Sequence, residues 1–249
     1  MKIFFSFIFL TIALPHRLAA FNFIESDLNP ARLVPNKEIL LSNFYSQIYS
    51  LKELAYFGVR FTLPHRFGVS ALNSTQLGNS IYKERKIALS HGFKFQEDIY
   101  LGVNLNYLIL TIEDYGEDKA VQIDTALEIP LTESLKFSTL LWNINKTTLG
   151  KEVLPSGFSS GMRWDLFSKC SLSLGVSRMD KAPIQLSALF SFPIHPSFYI
   201  DASYRDRPSQ FMGGFSVRER NVGIQYSFTQ TASLPSFHKF VLNFYWSKK

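Results

Sequence analysis

Few residues of this chain have the types and spacing to do chemistry. Five histidines stand at His16, His65, His91, His195 and His238, and the single cysteine is Cys170. They are dispersed, and no Cys/His/Asp group has the spacing of a zinc site. No glycine-rich phosphate loop is present. An outer-membrane enzyme of the phospholipase kind would need a catalytic Ser/His/Asn set on one wall. His91 falls on the apolar face of its segment and Ser90 on the opposite one, so that set is not expected, and neither is an enzyme. The acidic run Glu113, Asp114, Glu117 and Asp118 offers oxygen ligands for a hard divalent cation or a bridge to lipopolysaccharide. Without the ordered spacing of an EF-hand it reads as a solvated loop, and no metal or cofactor is expected. Asn73-Ser74-Thr75 and Asn145-Lys146-Thr147 match a glycosylation pattern and read as polar loops. Cys170 reads as a small apolar strand residue.

The polar residues of greater interest recur at alternate positions. They are Arg60, Lys94, Asn104, Asn106, Asp124, Glu128, Arg163, Asp165, Asp201, Arg205 and Arg218. Their charges are mixed. That suits internal ion pairs or a polar passage, and gives no ring of one sign that would select ions.

The elements that must position them follow a period of two. Ile99, Leu101, Val103, Leu105, Tyr107 and Ile109 share one face; Tyr100, Gly102, Asn104, Asn106 and Leu108 share the other. Successive side chains of a strand point to opposite faces. The pattern returns at Ile87 to Phe95, where Ala88, Ser90, Gly92 and Lys94 form the second face, and again at Val121 to Ile129 and Val222 to Phe228. About fourteen such runs are expected, near 37–45, 53–63, 65–74, 85–95, 98–112, 119–130, 134–144, 156–167, 169–179, 183–192, 197–206, 210–218, 220–230 and 237–247. Most have the roughly 9–11 residues that a tilted strand needs to cross a bilayer. Short connections alternate with longer ones, the latter expected at 74–84, 113–119, 145–155 and 229–236. An even strand count places both chain ends on the short-turn side. Trp142, Trp164, Tyr204, Tyr226 and Trp246 are candidates for aromatic girdles or lipid-facing positions.

Composition agrees once it is divided by strand parity. The chain has 249 residues, 46% of them hydrophobic, 15% aromatic and 18% charged. That load of aromatics with so little charge excludes disorder, and one cysteine excludes an internal disulfide. Mean hydropathy is near zero, at +0.03. This value suggests a soluble protein, yet a membrane barrel is only half apolar. Residues 1–20 read as a secretory signal: Lys2, an apolar run from Ile3 to Leu14, Pro15, then Leu18-Ala19-Ala20. The run is too short for a transmembrane helix. Loss of Lys2 and Arg17 leaves 24 basic and 20 acidic side chains, a net charge of +4 that calls for no nucleic-acid partner. A secreted β-sandwich is the soluble alternative. The long strands, the polar second faces and the terminal aromatic strand (Phe240, Leu242, Phe244, Trp246) favour a barrel. That last strand resembles the signal read by barrel-assembly machinery.

Residues 21–36 form a short segment ahead of the barrel, and Asn29-Pro30-Ala31 at its centre resembles the Asn-Pro-Ala segment of FadL-type outer-membrane proteins. Phe67-Gly68-Val69, Leu101 to Asn104, Leu141-Trp142-Asn143-Ile144-Asn145 and Leu154-Pro155-Ser156-Gly157-Phe158 resemble the PorV/PorQ-like relatives in style. The resemblance implies a bacterial outer-membrane barrel over residues 37–249, with Asn29, Pro30 and Ala31 in an inward plug. It also implies passive passage of a hydrophobic or amphipathic small molecule. Contact with outer-membrane lipid and lipopolysaccharide goes with it. The relatives also imply an alternative, an adaptor or scaffold of type IX secretion. A structural barrel without transport is a third reading. The chain lacks the longer plug and large apolar outer loops of full fatty acid transporters.

Overall fold

The computed structural model describes residues 29–48, 51–96, 98–167, 170–231 and 234–247. The expected signal at 1–20 and the first part of the N-terminal segment, 21–28, lie outside them. The described chain opens with a 3-10 turn, Pro30–Leu33, followed by β1 (Glu38–Gln47). A short turn at Lys52–Leu54 leads to β2 (Ala55–His65), β3 (Gly68–Gly78), β4 (Tyr82–Gln96), β5 (Ile99–Ile112), β6 (Gly116–Pro130) and β7 (Leu135–Trp142). A small hairpin, β8 (Thr148–Leu149) and β9 (Glu152–Val153), interrupts the series. It resumes with β10 (Gly157–Asp165), β11 (Ser171–Met179), β12 (Gln185–His195), β13 (Phe198–Asp206), β14 (Ser209–Glu219), β15 (Val222–Thr231) and β16 (Leu234–Ser247).

Fourteen of these strands close into one antiparallel barrel, each paired with its neighbours in sequence apart from the β7–β10 step over the hairpin. The seam is the pairing of the first strand with the last, from Glu38 opposite Ser247 to Gln47 opposite His238. Closure leaves no unpaired edge, so every strand's backbone groups have partners on both sides. The aromatic C-terminal strand thus finishes the sheet. Both chain ends of the barrel lie on one rim, opposite the long connection at 143–156.

Side-chain parity sets the rest. Leu72, Leu89, Val103, Leu105, Val121, Leu174, Leu186 and Ile224 are exposed on the outside, while Asn73, Ser90, Asn104, Asn106, Asp124, Glu128, Ser227 and Asn243 are buried inside. A water-soluble barrel has the opposite polarity. An apolar exterior around a polar interior is the signature of a barrel whose solvent is lipid. No helix among the described residues is long and apolar enough to cross a membrane.

Two expectations are corrected here. The long connections at 74–84, 113–119 and 229–236 are mostly strand: β3 and β4 meet across Asn79–Ile81, β5 and β6 across Glu113–Tyr115, and β15 and β16 flank 232–233. Toward these turns β3, β4 and β6 carry polar residues on both faces, as at Ser74 to Gln76, Lys83 to Lys86 and Glu117 to Lys119, so the alternation that marks a strand disappears although the ladder continues. Only residues 143–156 remain a long connection. Likewise, Asn73-Ser74-Thr75 is no loop; it lies within β3, with Asn73 and Thr75 buried in the lumen.

Candidate functional site: the lumen and its N-terminal segment

The segment ahead of β1 enters the barrel and seats on its wall. Asn29 caps the 3-10 turn: its Oδ1 accepts the Ala31 backbone N–H at 3.0 Å. Pro30 at the first turn needs no donor of its own. Asn29, Pro30, Ala31 and Leu33 are all buried. Beneath them lie Gly92 of β4 and Gly102 of β5, paired across the ladder. A Cβ on Gly102 would fall 2.5 Å from the Pro30 carbonyl carbon, and one on Gly92 would strike the Pro30 carbonyl oxygen. Two adjacent residues without side chains make the shallow floor that lets this backbone lie flat against the sheet.

Polar bonds fasten the segment to the next strands. The Arg32 guanidinium donates to Ser138 Oγ at 2.6 Å, and its Nε lies 3.3 Å from Glu128 Oε2. Asn29 Nδ2 reaches the Thr139 carbonyl at 3.5 Å. Ala31 packs with Ala126, Leu140 and Trp142, and Leu33 with Val69 and Ala71. Trp142, a girdle candidate by sequence, therefore points inward and is only 9% exposed. Its parity with Leu140 and Ser138 decided this; aromatic character alone did not. Trp164, Tyr204 and Trp246 are exposed on the outer wall, and Tyr226 is half-buried there.

The sequence-selected polar residues divide by burial. Arg60, Asn104, Asn106, Asp124, Glu128 and Arg205 are buried in the lumen, with Asp201 half-buried. Asp124 is a hub: it accepts Asn106 Nδ2 at 2.7 Å, Gln122 Nε2 at 2.7 Å and the Asn143 backbone N–H at 3.0 Å. The Asn143 side chain then donates to the Leu154 carbonyl at 2.6 Å and accepts the Thr147 N–H at 2.8 Å. The one long outer connection is thereby tied to the lumen wall. Lys94, Arg163, Asp165 and Arg218 keep inward parity but sit at the terminal rim, where Lys94, Arg163 and Arg218 are exposed and Asp165 is half-buried. Arg163 pairs with Asp165 at 2.9 Å, and Arg218 with Glu38 at 2.8 Å. These four are rim residues; they do not line a passage at mid-height.

Sequence reading missed Lys239, which is buried on β16 with its ammonium 4.9 Å from the Phe44 ring centroid. Its inward parity was readable. It also passed over Gly157-Phe158-Ser159-Ser160-Gly161, whose residue types match a nucleophile elbow. Those residues run straight along β10 with no strand-to-helix turn, so they lack the geometry of that elbow. The acidic outer cluster is already partly neutralised, because Glu117 pairs with Arg85 and Lys119, both at 3.0 Å. Among the described residues no group of three His, Cys, Asp or Glu could hold a metal.

The described part of the N-terminal segment, residues 29–36, lies against β3–β7. On the strands across from it many inward positions are small: Ser159 and Gly161 on β10, Ser173, Gly175 and Ser177 on β11, Ser187 on β12 and Ser203 on β13. These line a cavity of about 120 Å³ between Arg32 and Arg205, which Leu140, Trp142 and Leu189 also border. It is close to the roughly 150 Å³ that admits a single benzene ring, and well below the several hundred Å³ of ordinary ligand pockets.

The closed barrel with reversed polarity and an inward N-terminal segment defines the chain as a transmembrane β-barrel. No protein-family model matches the sequence, and no curated protein does. Among solved structures it is similar to the CymD monoaromatic hydrocarbon channel, with a TM-score of 0.61 and 11% identity over 88% of this chain and 90% of that one. It is also similar to the Pseudomonas putida toluene transporter TodX, with a TM-score of 0.61 and 7% identity over 89% of this chain and 93% of that one. The Acinetobacter baumannii outer membrane protein Omp33 is a third, at 0.53 and 8% over 84% and 97%. At these identities the likeness is one of fold.

Proposed function

We propose that this protein sits in a bacterial outer membrane and passes small amphipathic or hydrophobic molecules through its lumen, in the manner of a FadL-type channel. The observation that carries this reading is the cavity inside the barrel: a small-residue wall on β10–β13 faces the buried residues 29–33, which are held by polar contacts such as Arg32 to Glu128 and Ser138. A barrel serving only as structure has no need of such a cavity. The serine hydroxyls suit a polar end of the solute, and Leu140, Trp142 and Leu189 an apolar one. The size of the cavity limits the solute to about one ring while the segment is seated; release of the segment widens the path. Similar folds that carry toluene and monoaromatic hydrocarbons support the class of activity, not the solute.

Proteoliposomes test it. Uptake of a labelled monoaromatic alcohol should be measurable in the intact barrel and rise when residues 21–36 are removed. A barrel that is folded in both forms and passes nothing in either would leave the structural reading or the PorV/PorQ-like adaptor reading. Co-purification with a secreted cargo would then separate those two. Finding the protein in soluble periplasmic extract would sink both transport and barrel localisation.

A further inference from the structure

The outer wall carries polar groups where lipid should meet only apolar ones, and they are organised. Ser70 of β3 and His91 of β4 are paired across the ladder and face outward, with Leu63 of β2 next to Ser70. Ser70 Oγ lies 3.0 Å from His91 Nδ1 and 3.0 Å from His65 Nε2. The two imidazoles are stacked, 5.5 Å between centroids and 11° between planes. His65 Nδ1 accepts the Phe67 backbone N–H at 3.2 Å. That last bond sets the direction of the rest for neutral rings. His65 must carry its proton on Nε2 and donate to Ser70. Ser70 then donates to His91 Nδ1, which leaves the His91 proton on Nε2 as the free donor of the chain.

Arg66, in the exposed β2–β3 turn next to His65, holds its guanidinium 4.4 Å from the Phe67 ring centroid. Lys37 and Lys94 line a depression on the luminal side of the same turn, with Val34 and Val69, and so do not join the outward chain. On the bilayer side the same wall is apolar and exposed at Phe61, Leu63, Leu72 and Leu89. A donor chain and one exposed guanidinium beside an apolar wall complement a molecule with an anionic head and fatty tails.

A serine hydrolase does not fit. Its base would need a third group on the second imidazole nitrogen. Here the neighbouring histidine bonds the serine itself, and the flat strand has no pair of N–H groups aimed at a common oxyanion.

We propose that this patch binds an anionic phospholipid of the periplasmic leaflet, its phosphate held by His91 and Arg66 and its acyl chains against the β2–β4 wall. The proposal rests on the membrane placement above and is independent of transport. The folded barrel in a phosphate-free maltoside detergent is titrated with dihexanoylphosphatidylglycerol, with dihexanoylglycerol and with inorganic phosphate, and the imidazole NMR signals are followed. The phospholipid should bind saturably and move the His65 and His91 signals while leaving those of His238 unchanged. Affinity should fall at least tenfold in Arg66→Gln and in His91→Phe, with heat-modifiable gel mobility confirming that each variant is folded. Arg66 lies in an exposed turn, so its variant guards against misfolding of the other. Equal affinity in wild type and Arg66→Gln would overturn the site. So would equally tight dihexanoylglycerol, which means apolar contact only, or equally tight inorganic phosphate, which means a free-anion site.

Discussion

Gly92 and Gly102 stand opposite each other on β4 and β5, directly under Pro30 and Ala31 of the N-terminal segment. A side chain at either glycine would take the space that the Pro30 backbone occupies, so the pair fixes where Pro30 and Ala31 can lie.

Gly102→Val should unseat the segment. Its branched side chain would occupy the space of Pro30, an overpacking that costs about 1–3 kcal/mol locally. The barrel ladder is untouched, so heat-modifiable mobility should persist. Limited proteolysis should cut near residues 30–36 faster than in wild type, and uptake into proteoliposomes should increase. Unchanged cleavage would mean the segment is held elsewhere.

Arg32 and Glu128 should be coupled. The pair is 3.3 Å apart, and its side chains are only 19% and 8% exposed. A charge-assisted contact of that burial is worth about 1–3 kcal/mol when one partner is removed. A double-mutant cycle of Arg32→Ala and Glu128→Gln, read as hydrogen-exchange protection of residues 29–36, should show non-additivity of at least about 1 kcal/mol. Additive effects would mean that contacts other than Glu128, such as the Ser138 bond, hold Arg32.

Ser187→Phe should block passage without unfolding the barrel. The serine sits between Gly175 and Arg205 on the small-residue wall. A phenyl ring there would fill most of a cavity of about 120 Å³. Uptake of a monoaromatic alcohol should drop about tenfold or more, the loss expected when a solute's binding space is removed. Retained uptake would place the path elsewhere.

Asp124→Ala should cost stability and free the outer connection together. Three donors, from Asn106, Gln122 and Asn143, would lose their acceptor inside the wall. Each buried unsatisfied group costs about 1–3 kcal/mol, so the urea midpoint should fall clearly. Residues 143–156 should become protease-sensitive well below that midpoint. A stability loss with the connection still protected would separate the two roles.

Much of the barrel was legible in the sequence because its physical cause is local. Alternation of lipid-facing and lumen-facing side chains is enforced residue by residue, so strand number, strand phase and the inward set Arg60, Asn104, Asn106, Asp124, Glu128 and Arg205 follow from parity. The same parity places Trp142 inside, where residue type pointed to the surface. The signal vanished where its cause vanished: beyond the apolar belt nothing forces alternation, and the ends of β3, β4 and β6 read as loops, while β5, apolar to its end, was read in full.

What parity cannot supply is which residues meet across strands. Register brings Ser70 between His65 and His91, although Ser90 is the serine adjacent to His91 in sequence, and sets Gly92 beside Gly102 to form a seat for Pro30. It also gathers small residues from four strands onto one side of the lumen while residues 29–33 pack against the other. These relationships depend on hydrogen-bond pairing between segments distant in the chain and on closure of β1 with β16. The sequence by itself determined a barrel with a polar interior; only the tertiary structure decided where residues 29–33 seat in it and which strands border the cavity beside them.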